Sequence, residues 1–255
     1  MAVLLGVVVL AGCGGGGNDG RPAATVPRAE TSPFAPTPSD APVPPRDAPV
    51  VAALGDSVTA GSPLWDPNKD VRRERPDAIN PQSQYEYWAQ ALLDGRLRFR
   101  NCGVLGERTD EIAERLDRCA RGAKVLVVQG GVNDIAQGRP VQDAARNLDA
   151  MVRRGQAAGL DAVLVEVLPW NNGFPDAVEP IKRLNGLIAG IGRRRGVQVL
   201  PFYTALEDPR SPGKMRDNDT LDGNHPSVPG YRKLGRLVAN APAIRELARS
   251  RGPTG

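Results

Sequence analysis

From residue 50 onward, short runs of consecutive apolar residues alternate with longer stretches in which apolar residues recur every three or four positions. The first pattern marks strands buried on both faces and the second marks amphipathic helices. Their alternation predicts a doubly wound α/β domain, a parallel sheet with helices on both faces. Five strands are expected: VVAALG at 50–55, LRFRNC at 97–102, KVLVVQG at 124–130, AVLVEVL at 162–168 and VQVLPF at 197–202. The clearest helix spans 140–158, with Val141, Ala145, Leu148, Met151 and Val152 on one face and Pro140 in its first turn. A second carries Ile181, Leu184, Leu187, Ile188 and Ile191. It ends in Arg193, Arg194 and Arg195 before Gly196, where cations complement the helix dipole. The last helix follows HPSVPGY and uses Leu234, Leu237 and Val238. The connection from Gly61 to Gln82 is long, charged and proline-bearing; it reads equally as a lid carrying Trp65 or as a surface insertion.

The pattern is absent from the N-terminal part. Residues 1–13, MAVLLGVVVLAGC, form an apolar run too short to span a bilayer and end in small residues before a cysteine. This segment resembles a bacterial lipoprotein signal, with Leu10, Ala11, Gly12 and Cys13 as the lipobox. The resemblance implies cleavage before Cys13 and lipidation of that residue. No Lys or Arg precedes the apolar core, which leaves an upstream start open. Residues 14–49 begin GGGGNDG and continue with frequent prolines and few large apolar residues, a composition that predicts a disordered tether. Three segments are therefore expected: a signal at 1–13, a tether at 14–49 and a single domain at 50–255. The protein is expected to be a monomer, extracytoplasmic and lipid-anchored to the bacterial membrane or envelope.

An exported chain can carry disulfides, and Cys102 and Cys119 are the two cysteines left after Cys13. They are either bridged or two buried free thiols. A bridge of that loop length contributes about 3 kcal/mol in the chain-entropy picture. It requires Cys119, on the helix after strand two, to come within about 7 Å of Cys102 between α-carbons. The formal charge of +4 is carried by arginines that mostly stand beside acids or at helix ends, which argues against a nucleic-acid partner.

Open parallel sheets bind ligands beyond the carboxyl ends of their strands, where strand order reverses. Strand one ends in GDSVTAG, with Gly55, Asp56 and Ser57. Strand two runs into NCGVLGERTDE, and strand three ends in GGVND with Gly130, Gly131, Asn133 and Asp134. In a flavodoxin-like order, 2-1-3-4-5, these three ends are neighbours. The only histidine of 255 residues, His225, lies in LDGNHPS, where Asp-Gly before it and Pro226 after it favour a loop.

Together these blocks resemble the SGNH family of serine esterases and lipases, also called GDSL hydrolases, over residues 50 to 235. The resemblance implies that Ser57 is the nucleophile and that Asp222 and His225 are the D-x-x-H pair. It implies oxyanion donors at the backbone of Ser57, at Gly106 and at Asn133. Gly106 follows from the N-x-G-x-x-G-[DE] spacing, with Gly103 as the competing position.

The residue types suit that chemistry. A serine hydroxyl attacks only when a base takes its proton, and His225 is the one imidazole available; a carboxylate three residues earlier can hold the ring and stabilise the imidazolium. Asp134 is expected to hold its own turn. A hydrolysed carboxylic ester is the expected substrate: a short acyl ester, an acetylated glycan or a lipid. No cofactor and no metal are expected, since one histidine leaves too few nitrogen ligands. Two rivals use the same crevice: acyl transfer to an envelope glycan, and tethered glycan binding without turnover. A glycosidase would rest on paired carboxylates such as Asp217 and Asp219, which read as a solvated loop. LPWNNGFP, after strand four, offers Trp170, Asn171, Asn172 and Phe174 as rim residues.

Overall fold

The computed structural model describes residues 42–250. Cys13 and most of the expected tether lie outside the described residues. Among those described, no helix is long and apolar enough to cross a membrane.

Five strands, β1 (Val50–Gly55), β2 (Arg98–Gly103), β3 (Ala123–Val128), β4 (Asp161–Val165) and β5 (Gln198–Leu200), form one parallel sheet in the order β2-β1-β3-β4-β5. Eleven α-helices link them among the described residues: α1 (Ser57–Ala60), α2 (Lys69–Glu74), α3 (Tyr85–Leu92), α4 (Thr109–Glu114), α5 (Leu116–Ala120), α6 (Val132–Ala136), α7 (Val141–Ala157), α8 (Val178–Arg195), α9 (Phe202–Leu206), α10 (Val228–Ala239) and α11 (Pro242–Arg249). Successive residues of a strand point to opposite faces, so the core divides in two. Ala52, Leu54, Leu126 and Val128 pack with Leu148 of α7 and Leu184 of α8 on one face. Val51, Ala53, Val125 and Val127 pack with Trp88 of α3, Leu234 of α10 and Ile244 of α11 on the other.

Three strands are shorter than their apolar runs. β3 stops before Gln129, whose side chain turns into the loop after β1, and before Gly130, whose φ of 155° only glycine adopts readily. β4 stops at Val165 because the side chain of Asn185 takes over both the N–H and the C=O of Val167, at 2.8 and 2.9 Å. β5 ends before Pro201, which has no N–H for a ladder. Pro140 is the cap that precedes α7 and not a residue of its first turn. The last helix begins inside the expected motif, at Val228, because the Ser227 hydroxyl accepts from the Gly230 N–H; Leu237 is only partly buried. It is not the last helix: Pro242 starts α11, burying Ile244 and Ala248.

The bridge between Cys102 and Cys119 is formed, with 6.0 Å between α-carbons. The required approach within about 7 Å is met because the crossover helix breaks at Arg115. The short α5 then lies over β1 and puts Cys119 beside the strand end, its sulfur 3.9 Å from the Ala53 carbonyl oxygen. The two cysteines stand 17 positions apart in sequence, so the double variant Cys102→Ser/Cys119→Ser is expected to lose about 3 kcal/mol in urea denaturation.

The last residues of the proline-rich segment lie against the sheet edge. Ala48 is buried, the Arg98 N–H donates to the Pro49 carbonyl at 2.9 Å, and the Arg98 guanidinium donates to the Pro45 carbonyl at 2.6 Å. The connection from Gly61 to Gln82 is a folded insertion. Trp65 and Ile79 bridge its two arms, and the Arg72 guanidinium lies 4.4 Å from the centre of the Trp65 ring.

Candidate active site

β1 delivers Ser57 through a turn that tolerates no side chain at Gly55, where a Cβ would stand 2.2 Å from the Thr59 hydroxyl and 2.5 Å from Gln129 Oε1. Asp56 caps the single turn of α1, its Oδ1 accepting from the Val58 N–H at 2.9 Å. Gln129 Oε1 accepts from the Asp56 N–H at 3.1 Å and from the Thr59 hydroxyl at 2.9 Å. Tyr231 of α10 donates to the Val58 carbonyl at 3.0 Å, and Asn101 Nδ2 of β2 donates to the Thr59 carbonyl at 2.7 Å. Backbone groups that a tight turn leaves unpaired thus find partners from three other elements.

Ser57, Gly106, Asn133 and His225 line one cavity of about 140 Å³; Val58, Leu105, Val132, Ala136 and Trp170 supply its apolar walls and Asn224 completes it. Gly106 has φ of +81° and open space where a side chain would be, whereas a Cβ on Gly103 would stand 2.0 Å from the Ala60 nitrogen. The second glycine therefore faces the cavity and the first lets β2 approach α1. Asn133 Nδ2 donates to the Glu107 carbonyl at 2.9 Å, tying α6 to the loop that carries Gly106.

The loop of residues 220–226 closes on itself: the Leu221 N–H and the Thr220 hydroxyl both donate to the His225 carbonyl, at 2.9 Å. Asp222 organises its interior. Its Oδ1 accepts the N–H groups of Asn224 and His225, both at 2.8 Å, and its Oδ2 stands 2.7 Å from His225 Nδ1. Burial raises the Asp222 carboxyl, but these hydrogen bonds outweigh it and hold the group below the usual carboxylate range. An ionised Asp222 assigns the ring proton to Nδ1 and turns Nε2 outward as an acceptor.

The expected rim divides by role. Trp170 lines the cavity, and its indole N–H donates to Asn224 Oδ1. Asn171 and Asn172 do not line it. The Asn171 side chain exchanges hydrogen bonds with the Met215 backbone while its N–H donates to the Gly223 carbonyl at 2.9 Å, and Asn172 Nδ2 donates to the Asp222 carbonyl at 2.8 Å, so both brace the histidine loop. Phe174 is exposed beneath the Lys214 ammonium, 4.5 Å from its ring centre. Asp134 holds not its own turn but the start of α4, accepting from the Thr109 N–H at 3.0 Å and the Thr109 hydroxyl at 2.7 Å. Asp219 is not in a solvated loop: it is buried, with Lys233 Nζ at 2.6 Å, while Asp217 is exposed. No residue of the insertion at 61–82 lines the cavity, which leaves the lid reading without support. Among the described residues, no three His, Cys, Asp or Glu side chains are grouped to hold a metal ion.

Asn101, Gln129, Asn224 and Tyr231 are the site residues that sequence reasoning missed. Two carried a signal: Asn101 opens the N-x-G spacing, and Gln129 is a lone polar residue closing an apolar strand.

Asp56 lies fully buried beneath Ser57 with Oδ2 unpartnered, and burial raises its carboxyl to about 6, against the lowering pull of the Val58 N–H. The native carboxyl thus takes up its proton at higher pH than the unfolded one. The resulting penalty, on the order of 3 kcal/mol, is complete above pH 6 and vanishes as pH falls below 4. Asp56→Asn retains an acceptor for Val58. It is expected to raise unfolding stability by about 1 to 3 kcal/mol at pH 8 and to leave it unchanged at pH 3.5, measured by urea denaturation.

Residues 53–233 match the model of the GDSL-like lipase/acylhydrolase family, and the chain belongs to that family. It is an ester-hydrolysing enzyme. Its fold is similar to that of a GDSL-like lipase from Bacteroides thetaiotaomicron, at 20% identity and TM-score 0.59 over 80% of this chain and 91% of that one. It is also similar to a lipase/acylhydrolase from Enterococcus faecalis, at 22% identity and TM-score 0.57 over 78% and 95%. A lipolytic protein of the G-D-S-L family from Veillonella parvula gives 17% identity and TM-score 0.61 over 75% and 96%. A search of curated proteins gives no match.

Proposed function

We propose that this protein is a serine esterase that removes short acyl groups, acting outside the cytoplasm on a lipid anchor at Cys13. The observation that carries the reading is one small cavity lined by Ser57, His225, Gly106 and Asn133, with His225 Nδ1 already held by Asp222. In the proposed mechanism His225 Nε2 takes the Ser57 proton as the hydroxyl oxygen attacks the ester carbonyl. The charge that develops on the carbonyl oxygen meets the Ser57 and Gly106 N–H groups and the second amide hydrogen of Asn133, whose first is spent on Glu107. His225 returns the proton to the departing alcohol, and water repeats the sequence to free the acid.

The short-acyl preference rests on size. At about 140 Å³ the cavity is smaller than half the ~300 Å³ at which drug-sized ligand pockets begin, and Trp170 closes one side. Nitrophenyl acetate is expected to be turned over at least about tenfold more efficiently than nitrophenyl octanoate, and Trp170→Ala to narrow or reverse that ratio. Octanoate preferred by the parent enzyme would reject the short-acyl reading. Acetyl transfer to added sugar with no free acetate would assign the site to an acyltransferase.

A further inference from the structure

The outer groove between α7 and α8 holds two clefts that share Gln142, of about 590 and 580 Å³, each some four times the volume of the catalytic cavity. Ile135 lines the first cleft and its neighbour Ala136 lines the catalytic cavity, so the short helix α6 stands between the groove and the active site. Arg139 and Arg183 line the first cleft; Arg146, Arg153, Arg194 and Arg195 line the second. Only two carboxylates, Glu179 and Asp149, share these walls. Counting Asp143 and Asp110, which pair with Arg146 and Arg139 from just outside the walls, two positive charges remain in excess.

Helix chemistry accounts for part of this cluster. Arg194 and Arg195 close α8 and share Asp149, at 3.9 and 2.6 Å; Arg146 pairs with Asp143, and Arg139 stands 3.7 Å from Asp110. Arg153 and Arg183 are different. Both are exposed, and among the described residues neither comes within 4 Å of a carboxylate or makes a side-chain hydrogen bond, although the charge of Arg153 adds to that of Arg194 and Arg195 in lowering the Asp149 carboxyl. Arg183 stands in the second turn of α8, where the helix dipole gives a cation no support.

We propose that this groove binds the alcohol part of the substrate, an anionic polysaccharide whose short acyl ester enters the catalytic cavity. The proposal rests on the esterase reading and names its substrate class. Guanidinium groups spaced along a groove suit repeated carboxylate or phosphate groups, which they engage in bidentate fashion. α7 has 17 residues and is about 25 Å long, room for several sugar units in a row. The arginines line clefts, which favours a polymer chain over a flat anionic membrane.

The test uses the full-length protein with polygalacturonate, chemically O-acetylated or left bare, and acetylated glucomannan as the neutral comparison. At 50 mM salt, acetate release is expected to show a KM about tenfold lower on the acidic polymer. The gap should close at 500 mM salt. Arg153→Gln/Arg183→Gln is expected to raise KM on acetylated polygalacturonate about tenfold, whereas Arg249→Gln, on the opposite side of the sheet, leaves it unchanged. Equal KM values for the two polymers, or no response in the double variant, would overturn the proposal. So would sedimentation with phosphatidylglycerol vesicles by a protein that ignores the polymer. Calorimetry with bare polygalacturonate reads the groove separately from catalysis. Binding without turnover of any ester supports the groove and rejects the esterase reading; turnover of nitrophenyl acetate without binding does the reverse.

Discussion

Ser57→Ala is expected to lower kcat/KM for nitrophenyl acetate by about ten thousand-fold or more, and His225→Ala by a similar factor. The reason is that the two act on one proton. The hydroxyl is a weak nucleophile without a base, and a base in this cavity has nothing to activate without the hydroxyl. The double variant should therefore be about as slow as either single one. Multiplied losses would mean that the two residues act in separate steps. Neither change should cost much stability. The Ser57 side chain has no place in the hydrogen bonds that hold its turn, which run through Asp56, Thr59 and the backbone; the His225 loop is closed by backbone groups, Thr220 and Asp222. Normal urea denaturation beside lost turnover would separate chemistry from folding. A Ser57→Ala enzyme that keeps its activity would end the serine mechanism.

Much of this arrangement was legible in the chain because the physics is local. Strand runs such as VVAALG must be buried on both faces, and the parallel order follows from strands that alternate with crossover helices. The motif turns could be placed because Gly-Asp-Ser, Gly-Val-Asn-Asp and Asp-Gly-Asn-His each carry the residues a strand-to-loop turn needs. What stayed hidden depends on partners distant in sequence. Gln129 reaches back 73 residues to the Asp56 N–H, and Tyr231 reaches 173 residues to the Val58 carbonyl. Asn172 reads as a rim residue until its amide is seen on the Asp222 carbonyl, 50 residues away. The break at Arg115 that carries Cys119 to Cys102 has no Gly or Pro to announce it. Its guanidinium instead donates to the Gly55 carbonyl at 3.0 Å and to Cys102, holding the ends of β1 and β2 together.

Asp222→Asn is expected to reduce kcat by about a thousand-fold or more, less than the loss of the imidazole itself, with KM little changed. The argument is a count of donors. Three N–H groups converge on this carboxylate: those of Asn224 and His225 on Oδ1 and the ring Nδ1–H on Oδ2. A carboxylate has two accepting oxygens and satisfies all three; an asparagine has one. With its oxygen kept by the two backbone donors, its NH₂ group would face Nδ1. The ring then lowers its energy by moving its proton to Nε2, the atom that must be bare to accept from Ser57. Geometry survives while the tautomer is wrong. The pH profile gives a second reading. Because its hydrogen bonds hold Asp222 below the usual carboxylate range, it stays ionised while an imidazole titrates. The acid limb of the parent's kcat/KM should thus follow a single ionisation. An undiminished kcat would mean that Asp222 only ties the loop, through the two backbone N–H groups an asparagine could hold equally well.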